Sequence, residues 1–200
     1  MKKVQDHFFN QAKREGFAAR SVYKLQEIDR KRRLLHPGMR ALDLGCAPGS
    51  WLQYAAERVG ASGSVLGVDL HPVAAKLPPQ VRLLTGDVFS LSAQDLLAEG
   101  GGELFDVILS DMAPKTTGIK QADAARSATL VRRVLSLARE TLKPGGACLA
   151  KVFQGVEMKA LRSEFAEIFD RVSIQKPKAS RGESVEVFLL GEGMRGGRDS

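Results

Sequence analysis

Cysteine and histidine are scarce, with two of the first and three of the second in 200 residues. Cys46 and Cys148 lie far apart and show neither a CxxC nor a Cys/His ligand spacing, so no metal site and no disulfide framework is expected. Both should be reduced, buried thiols. His7 falls in a basic arm, His36 at a helix stop and His71 beside Pro72, positions that suit solvent or structural roles better than catalysis. Long apolar runs are missing as well. None approaches the eighteen or so residues needed to span a bilayer, and the Met1-Lys2-Lys3 start turns polar at Gln5 and Asp6 without the apolar stretch of a signal peptide. A cytoplasmic chain without a membrane partner is expected. Aromatics are few, at one tryptophan, two tyrosines and nine phenylalanines, with no RRM-like platform among them, so an RNA partner is expected to be structured and read by shape more than by stacking on single strands.

The composition, 44% hydrophobic and 26% charged, is that of a globular protein, and 200 residues suit a single domain spanning 1–200. Its formal charge of +7 is unevenly placed. Residues 1–40 carry 11 Lys/Arg against 4 Asp/Glu, and the other 160 carry 19 against 19. A basic segment, here an arm and helix over 1–37, attached to a neutral body is the footprint of a protein that docks on phosphates. A solvated helix face would give the same count.

Val22, Leu25, Ile28 and Leu35 recur at helical spacing and predict an amphipathic helix over 18–35, stopped by His36-Pro37-Gly38. Beyond it, apolar runs at 40–44, 65–68, 81–84, 105–109 and 147–153 read as strands. Helical patterns at 51–59, 93–98, 124–142 and 158–169 alternate with them. That order predicts a doubly wound, mostly parallel α/β sheet. Strand patterns at 172–174 and 185–190 follow with no helix between them, which predicts an antiparallel hairpin at one edge. Residues 191–200 read as a flexible polar tail.

The stretch "ALDLGCAPGSW", from Ala41 to Trp51, runs apolar into a loop with Gly45 and Gly49 and resumes as a helix. In such sheets ligands sit beyond the carboxyl ends of the strands, at the switch point beside the first strand. The spacing is G-x-x-x-G with Pro48 inside, not the G-x-G-x-x-G of dinucleotide binders, which counts against a nucleotide-dependent oxidoreductase. Asp69, Asp87 and Asp111 end the next three strands on the same edge. Each alone could be a turn former. Together, with Asp69 placed to accept from ribose hydroxyls and Asp87 from an adenine amino group, they suggest an adenosine ligand without a pyrophosphate. S-adenosylmethionine fits.

"ARSVYKLQEID", "DLGCAPGSW", "SDMAP", "KVFQG" and "SVEVFLL", in this order, resemble the FtsJ/RrmJ family of S-adenosylmethionine-dependent RNA ribose 2'-O-methyltransferases, from about Gln11 to Leu190. The resemblance implies the Rossmann-like class I methyltransferase sheet of seven strands, the last antiparallel. It implies cofactor contacts at Gly45, Gly49, Trp51, Asp69, Asp87 and Asp111, and a catalytic set of Lys24, Asp111, Lys151 and Glu186. Ser50 stands where the family usually has a second glycine, and Lys115 where an asparagine often follows "SDMAP".

Lys151 interrupts "ACLAKVF", a strand expected at the sheet centre, where an ammonium is costly unless paired or neutral. A lysine at the exposed end of the strand, reaching solvent along its stem, is the plain alternative. The functional reading makes Lys151 the base that removes the ribose proton, oriented by Asp111, with Lys24 and Glu186 balancing charge and positioning the ribose. Burial and the Lys24 charge favour the neutral amine that a base requires, and the two carboxylates oppose it. Trp51 is either core or a flank of the cofactor.

Lys13, Arg14, Arg20, Lys31, Arg32 and Arg33, with Lys176, Lys178 and Arg181, are the expected phosphate contacts. The compact length resembles the family members that act on a uridine of 23S ribosomal RNA in the large ribosomal subunit, and a monomer is expected. A transfer RNA target and a noncatalytic assembly factor remain the alternatives.

Overall fold

In the computed structural model, which describes residues 2–180 and 185–196, six helices and seven strands alternate along the chain. They are α1 (Lys2–Arg14), α2 (Val22–Arg32), β1 (Arg40–Leu44), α3 (Ser50–Val59), β2 (Ser64–Asp69), β3 (Val81–Thr85), α4 (Ala93–Gly100), β4 (Phe105–Ser110), α5 (Lys120–Thr141), β5 (Leu142–Phe153), α6 (Met158–Ile168), β6 (Phe169–Gln175) and β7 (Glu186–Met194). The strands form one sheet in the order β3-β2-β1-β4-β5-β7-β6. Only β7 runs against the direction of the other six strands. It inserts between β5 and β6, so the expected hairpin is present with β6 at the edge.

The order reverses at β1, which pairs with β2 on one side and β4 on the other, and this opens a crevice beyond their carboxyl ends. Central strands are buried on both faces. Leu42 and Leu44 of β1 join the core beneath α4–α6, while Ala41 joins the core beneath α2 and α3. The same alternation places Leu149 of β5 and Phe188 and Leu190 of β7 against α2 and α3. Lys151 and Glu186 occupy the same parity in their strands. Lys151 lies opposite Phe188, and Phe153 opposite Glu186, so the antiparallel register brings Glu186 within reach of Lys151.

Two expected boundaries are corrected. The helix predicted over 18–35 is α2, shorter at both ends. Arg33 turns left-handed at φ 52°, and the Asp29 carboxylate accepts from the backbone N–H groups of Leu34 and Leu35, which ends the helix before His36. The tail expected over 191–200 is corrected over its first half, because β7 continues to Met194 and Arg195 N–H donates to the Ile168 carbonyl; residues 197–200 lie outside the described residues. Gly191 looked like tail composition but is a packing requirement. A Cβ there would stand 2.3 Å from the Phe169 ring. The arm before residue 18 contains α1, whose Phe8 packs on Tyr23 with ring centroids 5.4 Å apart. Among the described residues no helix is long and apolar enough to cross a membrane.

Candidate active site

Two features meet at the carboxyl ends of β1, β4 and β5. The first is a cavity of about 440 Å³ lined by Gly45, Ala47, Asp69, Leu70, His71, Gly86, Asp87, Val88, Phe89, Asp111, Met112, Ala113, Lys115 and Leu130. Gly45 needs to be glycine for two reasons. Its φ is +80°, and a Cβ would lie 2.3 Å from the Met112 side chain. Gly49, at φ +113°, forms the outer side of the same loop, where a Cβ would strike Val73 and Ala75.

Asp69 and Asp87 serve the loops and the cavity together. Asp69 Oδ2 accepts from Ala47 N–H and Oδ1 from His71 N–H, both at 2.9 Å, while Asp87 Oδ1 accepts from Phe89 N–H. Each carboxylate oxygen keeps a further lone pair for a ligand hydroxyl or amino group. The Asp87 bond also sets Phe89 over the opening. Phe89 and Leu70, 51% and 62% exposed, give the cavity an apolar surface suited to a flat ring.

The second feature is a cluster of two lysines and two carboxylates. Lys151 is 6% exposed, which rules out the solvent-reaching alternative. Its Nζ donates to the Asp111 carbonyl and stands 3.1 Å from Asp111 Oδ1 and 3.8 Å from Glu186 Oε1. Lys24, projecting from α2, donates to Glu186 Oε2 at 3.1 Å, lies 3.7 Å from Asp111 Oδ1 and sits over the Phe188 ring at 5.8 Å. Residues 24, 111, 151 and 186, from four separate segments, thus form one charge-balanced group. Asp111 belongs to both features, since it also lines the cavity.

Of the residues that the resemblance puts at the cofactor, Gly45, Asp69, Asp87 and Asp111 line the cavity, whereas Gly49 and Trp51 do not. Of the two readings open for Trp51, the side chain takes the core. Its indole N–H donates to the Ser21 carbonyl at 2.9 Å and its ring stacks near Phe188, so the side chain belongs to the core that holds α3 against α2. Ser50, which stands where the resembling family usually has a glycine, is buried and shares a hydrogen bond with the Ser21 hydroxyl at 3.0 Å. Both residues lock the Lys24 helix to the glycine loop. Sequence reading missed the cavity walls Leu70, Val88, Phe89 and Leu130. Only "DVF", an acid two residues before an aromatic, signalled one of them.

Asp43 is fully buried below the loop, and neither carboxyl oxygen has a hydrogen-bond partner among the described residues. Burial pushes its carboxyl well above the usual range, with the Asp111 and Asp69 charges adding to the effect. A carboxyl raised on folding contributes its stability below the unfolded value and loses it as pH climbs toward the folded one. Asp43→Asn is therefore expected to match the wild type near pH 4 and to gain on it by up to about 1.4 kcal/mol per pH unit above that. Urea unfolding from pH 4 to 8 checks this; a constant difference would refute it. The two thiols are raised too, Cys148 to about 12 by burial and Cys46 further, by burial first and then by Asp43 and Asp69. Neither is placed to act as a nucleophile.

Residues 17–194 match the FtsJ-like methyltransferase family. The chain belongs to that family. Ribosomal RNA large subunit methyltransferase E of Syntrophobacter fumaroxidans is 50% identical to it over 193 residues, covering 96% of this chain and 97% of the relative. The protein of the same name from Oleidesulfovibrio alaskensis is 48% identical over 198 residues, covering 98% and 95%. A crystal structure described as that of a ribosomal RNA methyltransferase from Plasmodium falciparum superposes with a TM-score of 0.80 at 27% identity, covering 90% of this chain and all of that one. An FtsJ-like methyltransferase requires a methyl donor.

The expected phosphate contacts divide into two groups. Lys31 pairs with Glu27 at 2.8 Å and Arg32 pairs with Glu192, so these two are partly neutralised within the fold. Lys13, Arg20 and Arg33 form no ion pair among the described residues. Lys178 N–H donates to Glu27 and ties the loop after β6 to α2. Arg181 lies outside the described residues.

Proposed function

We propose that this protein transfers a methyl group from S-adenosylmethionine to the ribose 2'-hydroxyl of a uridine in 23S ribosomal RNA, acting as a cytoplasmic monomer on the large ribosomal subunit. The observation that carries this reading is the sharing of Asp111 between the cavity and the buried lysine cluster. One carboxylate can then face a cationic methyl donor on one side and the acceptor's base on the other. The name shared by the relatives at 48–50% identity, ribosomal RNA large subunit methyltransferase E, supports the RNA target.

The residues present fit the cofactor. Asp69 and Asp87 offer acceptors for an adenosine, Leu70, Val88 and Phe89 offer apolar walls for its ring, and the Gly45 and Gly49 loop admits a close backbone approach. The first N–H groups of α3, that of Trp51 among them, have no partner within the helix and suit a carboxylate. When bound, S-adenosylmethionine supplies an electrophilic methyl on a sulfonium, and the departing group is a neutral thioether. The protein's own part is positioning and proton removal. Lys24 and Glu186 hold the ribose edge, Asp111 fixes Lys151, and Lys151, in the neutral amine form that a base requires, takes the proton on Nζ as the hydroxyl oxygen forms its bond to the methyl carbon.

The test is transfer of labelled methyl to large subunits lacking the modification, with free ribosomal RNA and transfer RNA in parallel. Label in subunit ribose is expected. Label only on transfer RNA would move the target, and none despite cofactor binding would favour an assembly factor.

A further inference from the structure

A second concavity lies outside the catalytic features, between α1, the turn at residues 16–20 and the loop that follows β2. It encloses about 330 Å³, within the range of small-ligand clefts. Its chemistry is one-sided. Lys13, Arg20 and Lys76 line it, no carboxylate does, and none of the three cations forms an ion pair among the described residues. Phe9 and Phe17 line it too, and Phe9 is 61% exposed. Three unneutralised cations around exposed aromatic surface form a poor site for a protein core or for a cationic ligand. They match a nucleotide, which presents a phosphate and a flat ring together.

The groove is rigidly related to the active site. Gln53 of α3 accepts from Ala18 N–H at 2.9 Å and donates to the Gly16 carbonyl at 3.0 Å, which pins the turn to the helix after the glycine loop. Ala75, on the opposite wall, is the residue a Cβ on Gly49 would meet at 2.8 Å. Arg20 lies in the turn two residues before α2 begins and four before Lys24. A strand whose ribose lies at Lys24 and Lys151 can therefore continue past the start of α2 toward Arg20.

We infer that this groove is a nucleotide subsite for an unpaired RNA segment flanking the methylation target, with a base against Phe9 and Phe17 and its phosphates on Lys13, Arg20 and Lys76. This rests on the RNA methyltransferase reading and adds to it a preference for substrates with a single-stranded flank.

The test uses a fluorescein-labelled RNA hairpin with a single-stranded flank and the same hairpin cut blunt, titrated by anisotropy over a range of salt. The wild type is expected to prefer the flanked hairpin. Phe9→Ala should weaken that RNA at least about fivefold and leave the blunt one unchanged, in line with one lost base stack, and Phe9→Trp should restore it. Lys13→Gln with Lys76→Gln should lower the salt slope by about 1.5, from two lost phosphate contacts. These side chains are exposed, so unchanged melting curves and cofactor affinity serve as the folding control. Equal wild-type binding of the two RNAs, or Phe9→Ala binding both like wild type, would overturn the subsite. Flank-dependent binding without any methyl transfer to ribosomal subunits would support the subsite and overturn the catalytic reading instead.

Discussion

Lys151→Ala is expected to lower methyl transfer by roughly a hundred- to ten-thousand-fold while leaving S-adenosylmethionine affinity within a few-fold of wild type. The lower bound comes from proton removal alone. A variant that still binds both substrates retains the positioning contribution, so turnover should stay measurable above background. The position of Lys151 gives the effect its specificity. It is held by the Asp111 carbonyl and carboxylate and approached by Glu186, and it does not line the cofactor cavity. Truncation also leaves two carboxylates facing Lys24 alone, an excess of negative charge in a poorly solvated place, and a modest loss of stability should accompany it. Lys151→Arg separates the roles. A guanidinium keeps the charge and cannot act as a base at neutral pH, so it should recover stability without recovering turnover. Single-turnover methyl transfer at saturating cofactor, alongside calorimetric cofactor binding, reads both. Near-normal turnover in Lys151→Ala would remove it from the mechanism. Turnover restored by arginine would make it an electrostatic holder of the ribose.

Much of the fold was legible because a parallel sheet buries both faces of its central strands. Such strands appear as short apolar runs ended by Gly or Asp, and β1 spans the same five residues read from the sequence. The acids at the strand ends were legible for the same reason, since the carboxyl edge of the sheet fixes where they lie. Legibility failed where the deciding contact is distant in sequence. The last four residues of β7 contain two glycines and a glutamate, which alone read as tail. Their strand character depends on Phe169 against Gly191 and on Arg32 reaching Glu192 across 160 positions. Trp51 is open in the sequence for a different reason. The first turn of a helix can aim a side chain toward the ligand or toward the core, and only the seat of α2, with its Ser21 carbonyl, settles which. Phe89 and Leu70 carry no periodic signal, because exposed apolar residues at a cavity mouth break the pattern that identifies core.

The largest stability effect is expected at a residue outside the catalytic group, Asp29. Its carboxylate is 2% exposed and serves four donors. Oδ1 accepts from the N–H groups of Leu34 and Leu35, and Oδ2 from the Tyr54 hydroxyl at 2.8 Å and Arg58 Nε at 3.0 Å. One side chain thus closes the C-terminus of α2 and fastens it to α3. Burial, and then the bond to Asp29, raise the Tyr54 hydroxyl far above its ordinary value, so it remains a donor at any pH of interest. Arg58 is 42% exposed and can turn to water, so the ion pair contributes less than the three donors that cannot. Asp29→Ala leaves those donors unpaired in the interior at about 1–3 kcal/mol each. Partial relaxation reduces the sum, and a loss of about 3–5 kcal/mol in urea unfolding is expected. Asp29→Asn keeps an acceptor oxygen and should lose about half as much. The consequence reaches the active site, because α2 carries Lys24. Well below its melting temperature, Asp29→Ala should therefore show a reduced kcat with a smaller loss of cofactor affinity, since Asp69 and Asp87 stand on other segments and only the glycine loop and the start of α3 are tied to α2. A variant destabilised by less than about 1 kcal/mol, or one whose cofactor affinity falls in step with kcat, would show that α2 is held by its apolar face and not by this carboxylate.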